Sequence, residues 1–316
     1  MRIQSNKLFI EVDVQGPPDG APLLLVMGLG MQLVAWPDEL VADLVARGFR
    51  VIRFDNRDIG LSEGFEHLGA PRLVGAMLRY TLHLRVPAPY QLRDMAQDAI
   101  GVLDALGIRQ AHVCGASMGG MIAQHLAIHH PTRVKSLTLI MTTSGARHLP
   151  QPSMRVRQAL MARPRSNEVA DVVAHLEGLL KTIGSPAYPP DAQRQRERLE
   201  ASIRRAWRPH GTQRQLLAIV ADGDRSPLLR KIAVPTRVVH GADDPLVPPA
   251  AAQDLVRKIA GASLDLVPGM GHDLPLALLP RLADDIALVA QQAQPAQPAQ
   301  PARQAEPPAA QPPSSR

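Results

Sequence analysis

The sequence predicts an α/β fold: a mostly parallel central sheet flanked by helices, with a helical segment inserted late in the chain. Three observations carry this prediction. Short apolar runs such as Leu23-Leu24-Leu25-Val26-Met27 read as strands buried on both faces, the pattern of a parallel sheet. They alternate with segments of helical periodicity, for example Leu92, Met95, Ala99, Leu103 and Leu106. Finally, Val113-Cys114-Gly115-Ala116-Ser117-Met118-Gly119-Gly120 takes a buried strand through a Gly-x-Ser-x-Gly turn straight into a helix.

In chain order, residues 7–14 alternate like a half-exposed strand, and Gly16-Pro17-Pro18-Asp19-Gly20 turns the chain into the buried run at 23–27. That run leads into Gly28-Leu29-Gly30. A helix opens at Trp36-Pro37-Asp38-Glu39, with proline as its first residue and acids in its first turn, and stops at Gly48. Residues 49–54 form the next strand, closing on Asp55-Asn56-Arg57-Asp58-Ile59-Gly60-Leu61-Ser62. Asp55, Arg57 and Asp58 are expected to pair with one another and brace the loops beside the cleft. Residues 73–80 read as an apolar loop that lines an acyl pocket, and the helix after it is capped by Gly107. The strand–turn–helix unit at Ser117 follows, then a buried strand over 134–141.

From 145 to 228 helical segments continue without a strand, which predicts a helical lid inserted over the carboxyl edge of the sheet. Within it Leu199, Ile203 and Trp207 recur at helical spacing and should face inward. Strands resume at 236–239 and 263–267, separated by a helix over 249–259, and Leu282, Ile286 and Leu288 are the last core-facing residues. The organisation is therefore core (1–144), lid (145–228), core (229–290) and a disordered Pro/Ala/Gln-rich tail (291–316), whose repeats hold almost nothing that could bury apolar area.

Composition narrows the function. The 316 residues, 45% of them hydrophobic, suffice for a large core, and no apolar run is long enough to span a bilayer. The first residues lack the pattern of a signal peptide, so a cytoplasmic location is expected. One cysteine excludes an internal disulfide, and Cys114 reads as a small buried packing residue. No Cys/His cluster has metal-ligand spacing and no glycine-rich loop pairs with a lysine, so neither a metal nor another cofactor is predicted. The formal net charge of +6 resides in the lid: residues 147–225 hold 14 Arg and Lys against 8 Asp and Glu. A solvated face or steering of an anionic substrate would account for it; no nucleic-acid recognition motif accompanies it. The oligomeric state stays open.

The turn at Ser117 predicts chemistry. Strain lifts its hydroxyl clear of the sheet, and the helix starting at Met118 offers an unpaired backbone N–H to a developing negative charge. A serine hydroxyl needs a histidine to take its proton and a carboxylate to orient that histidine. Among 11 histidines, only His240 and His272 end strands after the serine, and His240 stands too close to the acids that follow it, which leaves His272. Those acids are Asp243 and Asp244, in His240-Gly241-Ala242-Asp243-Asp244-Pro245.

With these motifs in this order, residues 8–288 resemble the α/β-hydrolase superfamily. The Gly-x-x-Asp-x-x-x-Pro pattern of that family falls on Gly241-Ala242-Asp243-Asp244-Pro245-Leu246-Val247-Pro248 and implies Asp244 as the acid. The resemblance also implies the backbone N–H of Leu29, beside that of Met118, as the second oxyanion donor. Residues 55–62 are similar to the family's Asp-x-Arg-Gly-x-Gly-x-Ser turn, with Asp58 in place of glycine. That variant, with Met27-Gly28-Leu29 and Gly269-Met270-Gly271-His272-Asp273-Leu274-Pro275, is similar to the aclacinomycin methylesterase group, which hydrolyses an anthracycline methyl ester. The resulting expectation is a serine esterase for a small carboxylic ester, perhydrolase, aminopeptidase and enol-lactone or carbon–carbon bond hydrolase chemistry being alternatives on the same triad. A non-catalytic binding module is the third reading. Serine rather than aspartate at 117 argues against dehalogenase and epoxide-hydrolase chemistry.

Overall fold

The computed structural model describes residues 1–293; the tail expected over 291–316 falls almost wholly outside the described residues. The strands are β1 (Arg2–Ser5), β2 (Leu8–Gln15), β3 (Ala21–Val26), β4 (Phe49–Phe54), β5 (Ala111–Ala116), β6 (Val134–Ile140), β7 (Thr236–Gly241) and β8 (Ser263–Val267). They form one sheet in the order β1-β2-β4-β3-β5-β6-β7-β8. β2 pairs antiparallel with β1 and β4, and every pairing from β4 to β8 is parallel. The central strands β3 and β5 are the most apolar, as double-sided burial demands.

Between the strands run α1 (Asp38–Ala46), α2 (Leu73–Thr81), α3 (Leu92–Ala105), α4 (Met118–His129), α5 (Met154–Met161), α6 (Val169–Ile183), α7 (Ala192–Arg205), α8 (Pro209–Asp222), α9 (Ser226–Leu229), α10 (Ala250–Lys258) and α11 (Leu279–Gln292). One face of the sheet is covered by α1 and α11 through Leu40, Val41, Leu44, Leu282 and Ile286. The other is covered by α3, α4 and α10 through Met95, Leu103, Ile122, Leu126 and Leu255. The segment between β6 and β7 holds α5 to α9 and no strand, and α6 and α7 build a small core of their own from Val172, Val173, Leu199 and Ile203.

Several sequence expectations are corrected. Residues 73–80 belong to a helix, not a loop: Leu73, Ala76 and Tyr80 pack with Leu217 of α8, while Val74 and Leu78 face solvent. Pro37 stands at the N-cap of α1 rather than at its first residue. Leu288 is exposed, because the turn of α11 points Ile286, Val289 and Ala290 inward instead. The Asp55, Arg57 and Asp58 side chains do not pair with one another; each reaches a different element.

Candidate active site

Ser117 sits between the last residue of β5 and the first of α4 with φ +54° and ψ −118°, a conformation most side chains avoid. The surrounding glycines make that turn possible. A Cβ on Gly115 would strike the backbone of Gly119 and Gly120, and one on Gly119 would strike the carbonyls of Val26 and Met27. The strained turn is tied down by Ser117 N–H donating to the Ile140 carbonyl (2.9 Å) and by the Thr142 hydroxyl donating to the Ser117 carbonyl (2.7 Å).

Asp244 and His272 converge on the same point from the ends of β7 and β8. His272 Nε2 lies 3.0 Å from Ser117 Oγ, and its Nδ1 lies 2.7 Å from Asp244 Oδ2. The other carboxylate oxygen of Asp244 accepts the amides of Leu246 and Val247 at 2.9 and 2.8 Å. The turn that follows β7 thus holds one oxygen of this carboxylate through two amides, and His272 takes the other. Asp243, its neighbour, is exposed and instead accepts the Gly269 amide at 2.8 Å, bracing the turn ahead of His272. His240 Nε2 points at the Val247 carbonyl (2.7 Å) and lies 3.6 Å from Asp244 Oδ2. Burial pushes its pKa down, against the opposing pull of Val247 and Asp244, so the ring is neutral and donates its Nε2 proton to that carbonyl.

The histidine loop depends on the insertion. His272 N–H donates to the Ile183 carbonyl at the end of α6 (2.7 Å), and Gly271 N–H donates to Ser185 Oγ (2.8 Å). The Ser185 hydroxyl in turn donates to Asp273. Burial raises the Asp273 carboxyl above its ordinary range, with the Ser185 hydrogen bonds opposing the rise.

The loop after β3 is held in the same way. Among the described residues, neither Leu29 N–H nor Met118 N–H has a protein acceptor. Gly30, at φ +70°, donates its amide to Gln215 Oε1 of α8 (3.0 Å), while the Gln215 amide donates to the Arg57 carbonyl (2.9 Å). Gln32 donates to the carbonyls of Ser202 (2.7 Å) and Ala206 (2.8 Å). The turn after β4 completes the frame: Asp58 is bound through both oxygens by Arg214 (2.8 and 2.7 Å) and by the Tyr90 hydroxyl (2.8 Å). Burial alone would raise the Asp58 pKa, but Arg214, the Phe65 amide and Tyr90 hold it below the ordinary value. Asp55 accepts the Leu33 amide (2.7 Å) and Arg205 (2.7 Å), and Arg57 grips Asp98 of α3 at 2.6 and 2.7 Å.

Sequence reasoning brought out Ser117, Asp244, His272, Leu29 and Met118, and missed Gln215, Arg214 and Ser185. Gln215 and Arg214 are almost completely buried, yet both stand in a helix whose sequence looks amphipathic, and nothing local marks a polar residue that points inward. Cys114 is fully buried, and its thiol is raised by desolvation, which makes it a packing residue. Two surface cavities, of about 360 and 420 Å³, lie elsewhere, and neither is lined by Ser117, Asp244 or His272.

This sheet order, the strained serine between β5 and α4, and the histidine on the loop after β8 define an α/β hydrolase. The chain belongs to that family: the α/β-hydrolase fold model matches residues 21–276. The rhodomycin D methylesterase of Streptomyces sp. (strain C5) is 32% identical over 292 residues, which covers 85% of this chain and 90% of that protein. The rhodomycin D methylesterase of Streptomyces peucetius is 31% identical with the same coverage. In structure, the enol-lactonase from Burkholderia xenovorans LB400 superposes with a TM-score of 0.70 at 21% identity, covering 92% of this chain and 100% of that one; this likeness is one of fold. No helix among the described residues is long and apolar enough to cross a membrane.

Proposed function

We propose that the protein is a cytoplasmic serine esterase that cleaves a small carboxylic ester, a methyl ester or a lactone, through an acyl-enzyme on Ser117. The observation that carries the reading is the continuous chain from Ser117 Oγ through His272 to Asp244, at 3.0 and 2.7 Å. His272 takes the Ser117 proton on Nε2 as Oγ attacks the ester carbonyl carbon. Asp244, held by two backbone amides, keeps the ring oriented and stabilises it once protonated. The carbonyl oxygen becomes an oxyanion facing the free N–H groups of Leu29 and Met118. As the tetrahedral adduct collapses, the alkoxide leaves with the proton from His272. Water then enters by the same route, giving up a proton to His272 and releasing the carboxylic acid with Ser117 regenerated.

The share of sequence held in common with the rhodomycin D methylesterases supports a methyl ester as the scissile group. Residues 145–228 act as a lid in this reading, since α6 and α8 grip the two loops that flank Ser117. A serine-directed phosphonate is expected to label Ser117 stoichiometrically and to stop hydrolysis of short p-nitrophenyl esters. Labelling at another residue, or no labelling with turnover intact, overturns the triad. A panel of methyl esters against lactones then fixes the substrate class.

A further inference from the structure

Exposed apolar side chains are not spread evenly over this molecule. Eight of the fifteen large ones fall in two short stretches: Leu68, Val74, Leu78, Leu82 and Leu84 before, on and after α2, and Met154, Leu160 and Met161 on α5. Val74, Leu78 and Leu82 recur every four residues, so they form one outward stripe on α2. The segment that leads into α5 reaches α2 through Arg147, whose guanidinium lies over the Tyr80 ring, 5.1 Å from its centroid.

The charge on the same edge has one sign. Residues 67–93 contain Arg72, Arg79, Arg85 and Arg93 and no acid; residues 142–167 contain Arg147, Arg155, Arg157, Arg163 and Arg165 and no acid. All nine arginines are exposed, and none forms an ion pair among the described residues. Of the acids that border the edge, Glu66 is paired with Arg208 (2.8 Å), Asp94 caps α3 and Asp171 accepts Ser166, while Glu168 is exposed at the start of α6. A cavity of about 360 Å³ opens on this edge, with Arg79, Arg85 and Gln91 as its polar lining and Val86, Ala88 and Ala221 as its apolar walls.

We propose that the α2–α5 edge docks on a bilayer surface carrying anionic lipids, with the leucines and methionines entering the headgroup boundary and the arginines meeting lipid phosphates. Side chains of this kind, apolar and cationic without interleaved acids, are what an interfacial surface requires. A nucleic acid would satisfy the arginines but offers no partner for the apolar stripe, which carries no aromatic side chain for base stacking. A bilayer offers the apolar stripe and the arginines one continuous surface, hydrocarbon beneath anionic headgroups. The assignment is independent of the triad, because none of these residues touches Ser117, Asp244 or His272.

Co-sedimentation of the full chain with phosphatidylglycerol-containing vesicles and with pure phosphatidylcholine vesicles tests it. Binding to the anionic vesicles at low salt, roughly tenfold or more above phosphatidylcholine and lost at high salt, is the expected result. Val74→Asp with Leu78→Asp, and separately Arg79→Glu with Arg85→Glu and Arg147→Glu, should each weaken it about tenfold or more. Melting temperature and hydrolysis of a soluble p-nitrophenyl ester without vesicles should stay unchanged in both. Four results overturn the proposal: no binding to anionic vesicles, equal binding to both vesicle types, retention on duplex DNA but not on vesicles, or a solution dimer that the Val74 and Leu78 substitutions split.

Discussion

Two sets of arginines in this protein share a residue type and have opposite fates. Arg194, Arg205, Arg208 and Arg214, on α7, α8 and the turn between them, all reach across to acids of the core: Glu39, Asp55, Glu66 and Asp58. Arg72, Arg79, Arg85 and Arg147, with the arginines of α5 and the segment after it, reach no acid among the described residues. In composition both sets are surface charge on or beside the helical insertion. In three dimensions the first set fastens that insertion to the loops around Ser117, while the second leaves its charge in solvent. Charge counts thus describe a field, but burial and partners decide whether an arginine contributes to stability, to geometry or to a surface.

The sharpest separation comes from removing the chemistry without touching either set. Ser117→Ala should reduce kcat on p-nitrophenyl esters by roughly a thousandfold to a millionfold, with an unchanged melting temperature. A lowered melting temperature would show that the insertion and the hydroxyl are coupled. Asp244→Asn should cost about ten-thousandfold in kcat, while Asp243→Asn, which removes a charge but keeps an oxygen for the Gly269 amide, should stay within about tenfold. If the two aspartates exchange that ranking, the acid is misplaced.

Next in size is the buried latch. Arg214→Met strands the Asp58 carboxylate at a fully buried position, and denaturant titration should show a loss of about 3–5 kcal/mol. Gln215→Leu probes the neighbouring contact. It unpairs the Gly30 amide and the Arg57 carbonyl, so kcat should fall roughly tenfold or more as the Leu29 amide loses its support, with KM changing far less. A change confined to KM would place Gln215 in substrate binding. By contrast, Arg79→Ala or Arg85→Ala should leave stability within about 0.5 kcal/mol; a larger loss would mean that the exposed set is also structural.

The last separation is a pH slope. Burial lowers the His112 pKa from the ordinary histidine value of about 6.5 to about 4, so this ring is neutral in the folded protein where the unfolded chain already binds a proton. Stability should therefore fall as pH drops from about 6.5 to about 4, by at most about 1.4 kcal/mol per pH unit. His112→Gln should remove that component. Below this window Asp58 takes over, because its folded pKa is depressed: its contribution is complete above the unfolded value of 3.8 and is lost as pH falls through the lower folded value. Arg214→Met should flatten this second limb, whereas the exposed arginines should not affect it.

What the sequence alone determined is what local pattern can encode. Apolar runs placed β3 to β8, and the glycines around Ser117 announced a turn that only their missing side chains permit. The order of strand ends put Ser117, Asp244 and His272 on one edge of the sheet. Helical spacing foretold that Leu199 and Ile203 face inward. The tertiary structure alone decided the partners of charged and polar side chains. Residues 73–80 looked like a loop, but they form a helix whose packing on α8 buried Ala76 and left Val74 and Leu78 outside, because apolar letters carry no address. Asp55, Arg57 and Asp58 looked like partners because they are neighbours in sequence, yet their ions are satisfied by Arg205, Asp98 and Arg214. Hydrophobic burial repeats with the period of the backbone and can be read along the chain. An ion pair joins residues 150 or more positions apart, as Arg205 and Arg214 do with Asp55 and Asp58, and such a pairing exists only once the chain has folded.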